Sequence, residues 1–284
     1  MAKIIGFFGV ISCVIGGFAL NGGHVAILWQ PTEVLVIAGS AIFAYIIANP
    51  THVLKETPSN IASIFKKPLY SKAEFIELLS MLCLVFKTAR SKGWLVMEQH
   101  IENPHDSELF KKFPMFHHDH HAVTFVCDYL RLISLGADKP FEVEALFDQE
   151  LETLKEDTTH VGHAVQAVAD GLPALGIVAA VLGVIHTMGA IAEPPAVLGG
   201  LVGAALVGTF LGVLLAYGFV APIANAILSR KDSEFKYYVC IKVCLLAFLQ
   251  GAAPQVAVEF GRKVLTHETR PTFLEVEEAL NKVS

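Results

Sequence analysis

Charge is withheld from two long stretches of this chain and concentrated outside them. Residues 1–48 carry only Lys3 and Glu33, and residues 171–229 only Glu193, whereas residues 49–170 hold 30 of the 48 charges. The charge-poor stretches contain four apolar runs, at residues 4–20, 34–48, 172–192 and 197–221 or a little beyond. A helix rises about 1.5 Å per residue, so runs of this size suit a hydrocarbon core about 30 Å thick. The second run is short, and Glu33 and Asn49 are expected in the headgroup zones at its ends. With 54% hydrophobic and 17% charged residues, the composition excludes disorder and a disulfide scaffold. It points to a membrane protein with an aqueous insert.

Cation placement gives the orientation. Residues 49–171 carry 12 Lys/Arg, residues 225–284 carry 8, and the connectors at 21–32 and 192–196 carry none. With Lys3, every cation falls on one side of a four-span arrangement, which the positive-inside rule makes the cytoplasm. The expected fold is an all-α polytopic membrane protein with both termini cytoplasmic. It divides into residues 1–48 (transmembrane helices 1 and 2), 49–171 (a large helical cytoplasmic insert), 172–224 (transmembrane helices 3 and 4) and 225–284 (a helical cytoplasmic tail). A net charge of −6 without a basic tract gives nucleic acid nothing to bind. Membrane lipid is the expected surroundings.

The aqueous parts read as helices. Ser71-x-x-Glu74 is a capping box ahead of Phe75, Leu78, Leu79, Leu82, Val85 and Phe86, which follow helical spacing. Gly93 should end that helix, Asp119 open another, and Gly136 end it. Pro140 suits the first turn of a third helix that may continue into span three, and Thr272-x-x-Glu275 should cap a last short one. No segment alternates with a period of two. Cys13, Cys83, Cys127, Cys240 and Cys244 form no CxxC pair and read as reduced packing residues.

Span four is rich in small residues. Ala204, Gly208, Gly212 and Ala216 recur every four positions, a stripe that lets another helix approach closely. Four spans offer little interior for so long a stripe, so packing against another subunit is the favoured reading over packing within the chain's own bundle. Intramembrane ionisable groups usually mark function, yet spans three and four hold no carboxylate between Asp170 and Glu193 or between Glu193 and Asp232. If protons move here, a partner supplies the carrier, and Thr209 is a polar group of the wall. His186 fits a neutral interfacial imidazole. Pro173 and Pro222 stand at the cytoplasmic ends of spans three and four, where lost backbone N–H groups suit either helix termination or a hinge.

His117-His118-Asp119-His120-His121 invites a metal reading, but no second ligand cluster, HExxH or CxxC accompanies it. A solvated cluster is the better account, so no metal site is assigned; a metal-sensing membrane protein is the competing class. Arg90 and Glu98 flank Gly93 as a bipolar patch, and Glu150 belongs to an acidic helix; by composition both are ordinary solvated faces. There is no nucleophile with a base, no phosphate loop and no dinucleotide fingerprint. No catalytic residue, enzyme activity or cofactor is therefore expected.

Motifs along the whole chain resemble one family. They include Gln30-Pro31-x-Glu33, Ile101-Glu102-Asn103-Pro104 and Asp128-Tyr129-Leu130-Arg131-Leu132-Ile133. The longest are LPALGIVAAVLGVIHTMG at 172–189, VGTFLGVLLAYGFVAPIA at 207–224 and VAVEFGRK at 256–263. The chain is similar to the MotA family, the A subunits of the bacterial flagellar stator, including lateral-flagellar relatives. The resemblance implies a homopentamer of A subunits around two single-span B subunits. Each B subunit supplies the ion-accepting aspartate and a peptidoglycan-binding domain. Ion flow turns the A ring, whose cytoplasmic domains push the rotor protein FliG. By motif matching, Arg90, Glu98 and Glu150 are rotor-contact residues, and Pro173 and Pro222 couple conformations. Sodium-driven relatives carry threonine where this chain has Ala180, so the coupling ion is expected to be the proton, with Thr209 the shared threonine of the path. An energising subunit of the ExbB/TolQ class is the alternative, but those relatives resemble three-span proteins.

Overall fold

The structure is a computed structural model describing residues 2–137 and 139–283. Its elements run α1 (Ala2–Leu20), a 3-10 turn (Val25–Leu28), α2 (Pro31–Val34), a π-helical turn (Leu35–Gly39), α3 (Ser40–Ala48) and α4 (Thr51–Ser63). There follow α5 (Lys72–Lys92), α6 (Trp94–Glu102), α7 (Pro114–His117), α8 (His120–Ser134) and α9 (Pro140–Gly189). The chain continues with α10 (Pro195–Val213), a second π-helical segment (Leu214–Val220), α11 (Ala221–Leu249), α12 (Pro254–Lys263) and α13 (Phe273–Val283). Among the described residues there is no strand, and four helical stretches are long and apolar enough to cross a membrane. The chain is a multi-pass, all-helical membrane protein. The third span is part of α9, which begins at Pro140 and contains Pro173 without interruption. Span four likewise runs on through the π segment into α11.

The chain forms two compact units. One comprises residues 1–67 and 158–230; the other comprises residues 68–157 and 231–284. In the first unit the spans bury little of themselves, and α1 has no buried residue. Ile5, Phe8, Phe43, Ile47, Ile177, Ile185 and Leu206 all point outward. That is the expected surface for a helix bundle in lipid, where no water drives apolar residues inward. Small inner clusters hold the bundle: Ile37, Ala41, Leu172, Ala179 and Ala216 at one level, and Val53, Ile64, Val161, Val165, Ala224 and Ile227 at another. The C-terminal end of α4 is secured by cations. The Lys3 ammonium donates to the Ile64 carbonyl at 3.0 Å, and the Arg230 guanidinium donates to Ser63 and Lys66 carbonyls at 2.8 and 3.2 Å. Cations are favoured there because a helix C-terminus presents carbonyl oxygens and negative partial charge.

The second unit has a conventional aqueous core. Phe75, Leu78, Leu82, Phe86, Phe110, Phe116, Tyr129, Phe147, Tyr237 and Leu245 are among its fully buried residues. Its helix ends follow the sequence signals. Ser71 and Glu74 form the capping box of α5, Gly93 turns the chain at φ +81° and Gly136 at φ +99°. Asp119 caps α8 through the Ala122 N–H at 3.1 Å and also accepts from the Tyr70 hydroxyl. Glu275 caps α13 at the Thr272 N–H and pairs with Lys72 of α5 at 2.7 Å, contacts that hold its carboxyl down at about 2. Four of the five cysteines are buried and none is in a disulfide. Helix α12 lies so close to α11 that a Cβ on Gly261 would fall 2.1 Å from Cys244 Sγ and 3.1 Å from the Cys240 carbonyl. Gly261→Ala is therefore expected to cost at least about 2 kcal/mol, the scale of core overpacking. Thermal denaturation of the detergent-extracted protein checks this; an unchanged midpoint would contradict it.

Candidate functional site

Two features carry chemistry, one in each unit. In the membrane unit, α9 and α10 run antiparallel in unusually close contact. A Cβ on Gly183 would lie 2.6 Å from the Ala205 Cβ, and one on Gly208 would lie 3.0 Å from the Ala179 Cβ and 3.1 Å from the Ala180 nitrogen. One on Gly176 would lie 2.9 Å from the Gly208 carbonyl, and one on Gly212 would lie 2.8 Å from both Gly176 Cα and the Leu172 carbonyl. Backbone meets backbone along this seam, which only glycine and alanine permit.

The favoured expectation of subunit packing for the span-four stripe is thereby corrected. Gly208 and Gly212 meet span three of the same chain, Ala216 is buried in the inner cluster, and Ala204 is half-buried. The stripe has a matching one on span three, Gly176, Ala179, Ala180 and Gly183, at i, i+3, i+4 and i+7 within LPALGIVAAVLG. That second stripe was legible but hidden in a run that reads first as plain hydropathy.

Glu33 is also not where the sequence suggests. Rather than resting wholly in a headgroup zone, its carboxylate reaches the seam, and Oε2 is buried without a hydrogen-bond partner among the described residues. A Cβ on Gly208 would lie 2.7 Å from that oxygen. Ala180, Gly208 and Glu33 thus meet at one level. Thr209, next to Gly208, is half-buried, and its hydroxyl makes no hydrogen bond among the described residues. Thr187, by contrast, donates to its own helix at the Gly183 carbonyl, 2.8 Å away. His186 lies on the exposed side of span three.

Pro173 is half-buried and Pro222 exposed. In the α9–α10 register Pro173 stands level with the π segment, and Pro222 lies about two helical turns further along. Pro222 follows that π segment by one residue. Such a segment relaxes the ladder that a proline has already broken. Sequence patterns gave no signal for either π segment.

In the aqueous unit, Arg90 sits in the last turn of α5 and Glu98 on α6, joined by the Gly93 turn. Both are exposed, and neither makes an ion pair or hydrogen bond among the described residues. Leu95 between them is 77% exposed. The Asp128-x-x-Arg131 motif holds this corner: Arg131 bonds both Asp128 and Glu102, at the end of α6, at 2.9 Å. Glu150 differs, because it accepts from the Tyr129 hydroxyl at 2.6 Å. Burial first, and that hydrogen bond second, push the Tyr129 hydroxyl well above the usual phenol range. The His105 ring lies 5.9 Å from that of His117 and 5.0 Å from that of His120, but among the described residues no group of three ligands is arranged to hold a metal.

Comparison with known proteins places this geometry. The profile described as Motility protein A N-terminal matches residues 4–93, and that of the MotA/TolQ/ExbB proton channel family matches residues 119–239. Motility protein A of Salmonella typhimurium is 41% identical over 100% of this chain and 96% of its own length. Chemotaxis protein LafT of Vibrio parahaemolyticus is 36% identical over 99% of this chain and 98% of its own length. The fold matches a chain of the C. jejuni MotAB structure with a TM-score of 0.75 at 19% identity, covering 95% of this chain and 98% of that one. It also matches a chain of the flagellar MotAB stator complex from Bacillus subtilis, with a TM-score of 0.70 at 24% identity over 90% and 92% of the two chains. Full-length identity at this level, with a shared fold, makes the chain a member of the motility protein A family.

Proposed function

We propose that the chain is the A subunit of a proton-driven flagellar stator: it walls an ion path completed by a single-span B subunit and converts ion flow into torque on the rotor. The observation that carries this reading is the α9–α10 seam. It is an apolar, closely packed wall, and Thr209 beside it carries a hydroxyl with no partner of its own. Spans three and four bring no carboxylate to it, which leaves the central carrier to the B subunit's aspartate. The relatives named for a MotAB complex support a B-type partner, and a pentamer of A around two B follows by the same analogy. ExbB/TolQ proteins enter only as members of the broader channel family. The role is mechanical and conductive, not enzymatic.

In this reading the inner membrane holds the four spans, with residues 49–171 and 225–284 in the cytoplasm. Arg90 and Glu98 face FliG as an open charge pair, and Glu150 stands behind them, restrained by Tyr129. Ion arrival biases two packings of the seam, and Pro173 and Pro222 pass the change to the cytoplasmic helices. Ala180 places no oxygen where a hard cation such as sodium would need one. The test is complementation: co-expressed with its B partner in cells lacking a stator, the chain should restore swimming. That swimming should stop with a protonophore and persist without sodium. Swimming that requires sodium would reject the proton assignment, and no restoration would reject the stator reading.

A further inference from the structure

We infer that Glu33 is a second proton-holding carboxylate on the ion path, contributed by this chain, and this rests on the stator reading above. Glu33 lies in the first turn of α2, just after the cation-free connector on the side opposite the cytoplasm. A carboxylate in such a turn is ordinarily left in water, where solvent and the helix N-terminus both favour it. Here one oxygen is instead sealed without a hydrogen bond, against Gly208 and beside Ala179 and Ala180. The elements packed on it, α9 and α10, bring no titratable side chain to that point. The nearest such residues along these spans are the exposed His186 and Tyr217.

Glu33 as a residue is half-buried, but a carboxylate with one oxygen sealed in an apolar seam carries a desolvation cost unless something neutralises it. A metal cation would need several oxygen ligands, and the adjoining side chains, Ala179 and Ala180 with Gly208, offer none. A proton needs none. The absence of a side chain at Gly208 makes room for the carboxylate, and the level it occupies is that of Ala180 and the neighbouring Thr209. The step balances simply. Glu33 takes one proton from a hydronium ion on the outer face, which is left as water, forming its O–H. It then releases that proton to the ionised carboxylate of the B subunit, which becomes neutral, and regains its own charge. One proton and one unit of charge move, and no bond to carbon changes.

The test uses the complete stator in the membrane. Cytoplasmic acidification per assembled complex is measured for the wild type, Glu33→Gln and Glu33→Asp across a range of external pH. Loss of a proton-transferring group should lower flux at least about tenfold in Glu33→Gln, with assembly retained. Glu33→Asp should keep most of the flux and shift its dependence on external pH. Wild-type flux in Glu33→Gln would overturn the inference. So would loss of assembly in both variants, which would mark a structural carboxylate. A wild-type complex that conducts no protons would instead overturn the stator reading itself.

Discussion

Gly212→Val is expected to abolish stable assembly and with it all swimming. The glycine lies where α9 and α10 touch through their backbones: a Cβ there meets Gly176 Cα and the Leu172 carbonyl at 2.8 Å. Neither atom is the flexible end of a side chain, so the helices themselves would have to part. Overpacking by a methylene in an ordinary core costs about 1–3 kcal/mol, and three added carbons against backbone should exceed about 3 kcal/mol. Separation would also open the small-residue packing that substitutes for hydrophobic drive in lipid. The amount of complex extracted from membranes and its thermal midpoint give the measurement. Normal assembly would show that the seam is not built as described.

Reversing the two open charges at the α5–α6 corner should act differently. Arg90→Glu combined with Glu98→Lys is expected to leave folding and assembly within about 0.5 kcal/mol of wild type, the range for surface substitutions. Neither side chain has a partner to lose. Torque, however, should fall at least about tenfold, because charges across a contact set register and partner choice. A matching reversal on FliG should restore part of it. Glu150→Gln, by contrast, should also loosen Tyr129, whose hydroxyl would lose a charged acceptor. Unchanged swimming in the Arg90/Glu98 double variant would remove the rotor-contact assignment.

Much of the fold was legible because it depends on local rules. Charge-free runs marked the spans, and Ser71, Gly93, Asp119, Gly136 and Glu275 marked helix ends through chemistry contained within a few residues. What escaped the sequence depends on which surfaces meet. The span-four stripe was visible, but its partner on span three lay in the same chain. No periodicity can say which of several small-residue faces pairs with another. Glu33 reads as an interfacial residue because its neighbours in sequence are Thr32 and Val34. Its neighbours in space are Gly208 and Ala180, more than a hundred residues away. The π segments change only the register of the backbone hydrogen bonds, and apolar side chains carry no trace of that. Arg90 and Glu98 were assigned by resemblance alone, and their freedom from partners adds a physical reason to expect a contact there.

The central claim is that this chain forms a proton path only when a partner supplies the carrier carboxylate. The most direct test is proton flux into cells expressing the chain alone, with its B partner, or with a B partner whose membrane aspartate is changed to asparagine. The account predicts acidification only with the intact partner, and assembly without flux for the asparagine variant. Flux from the chain alone, or undiminished flux with the asparagine partner, would contradict it.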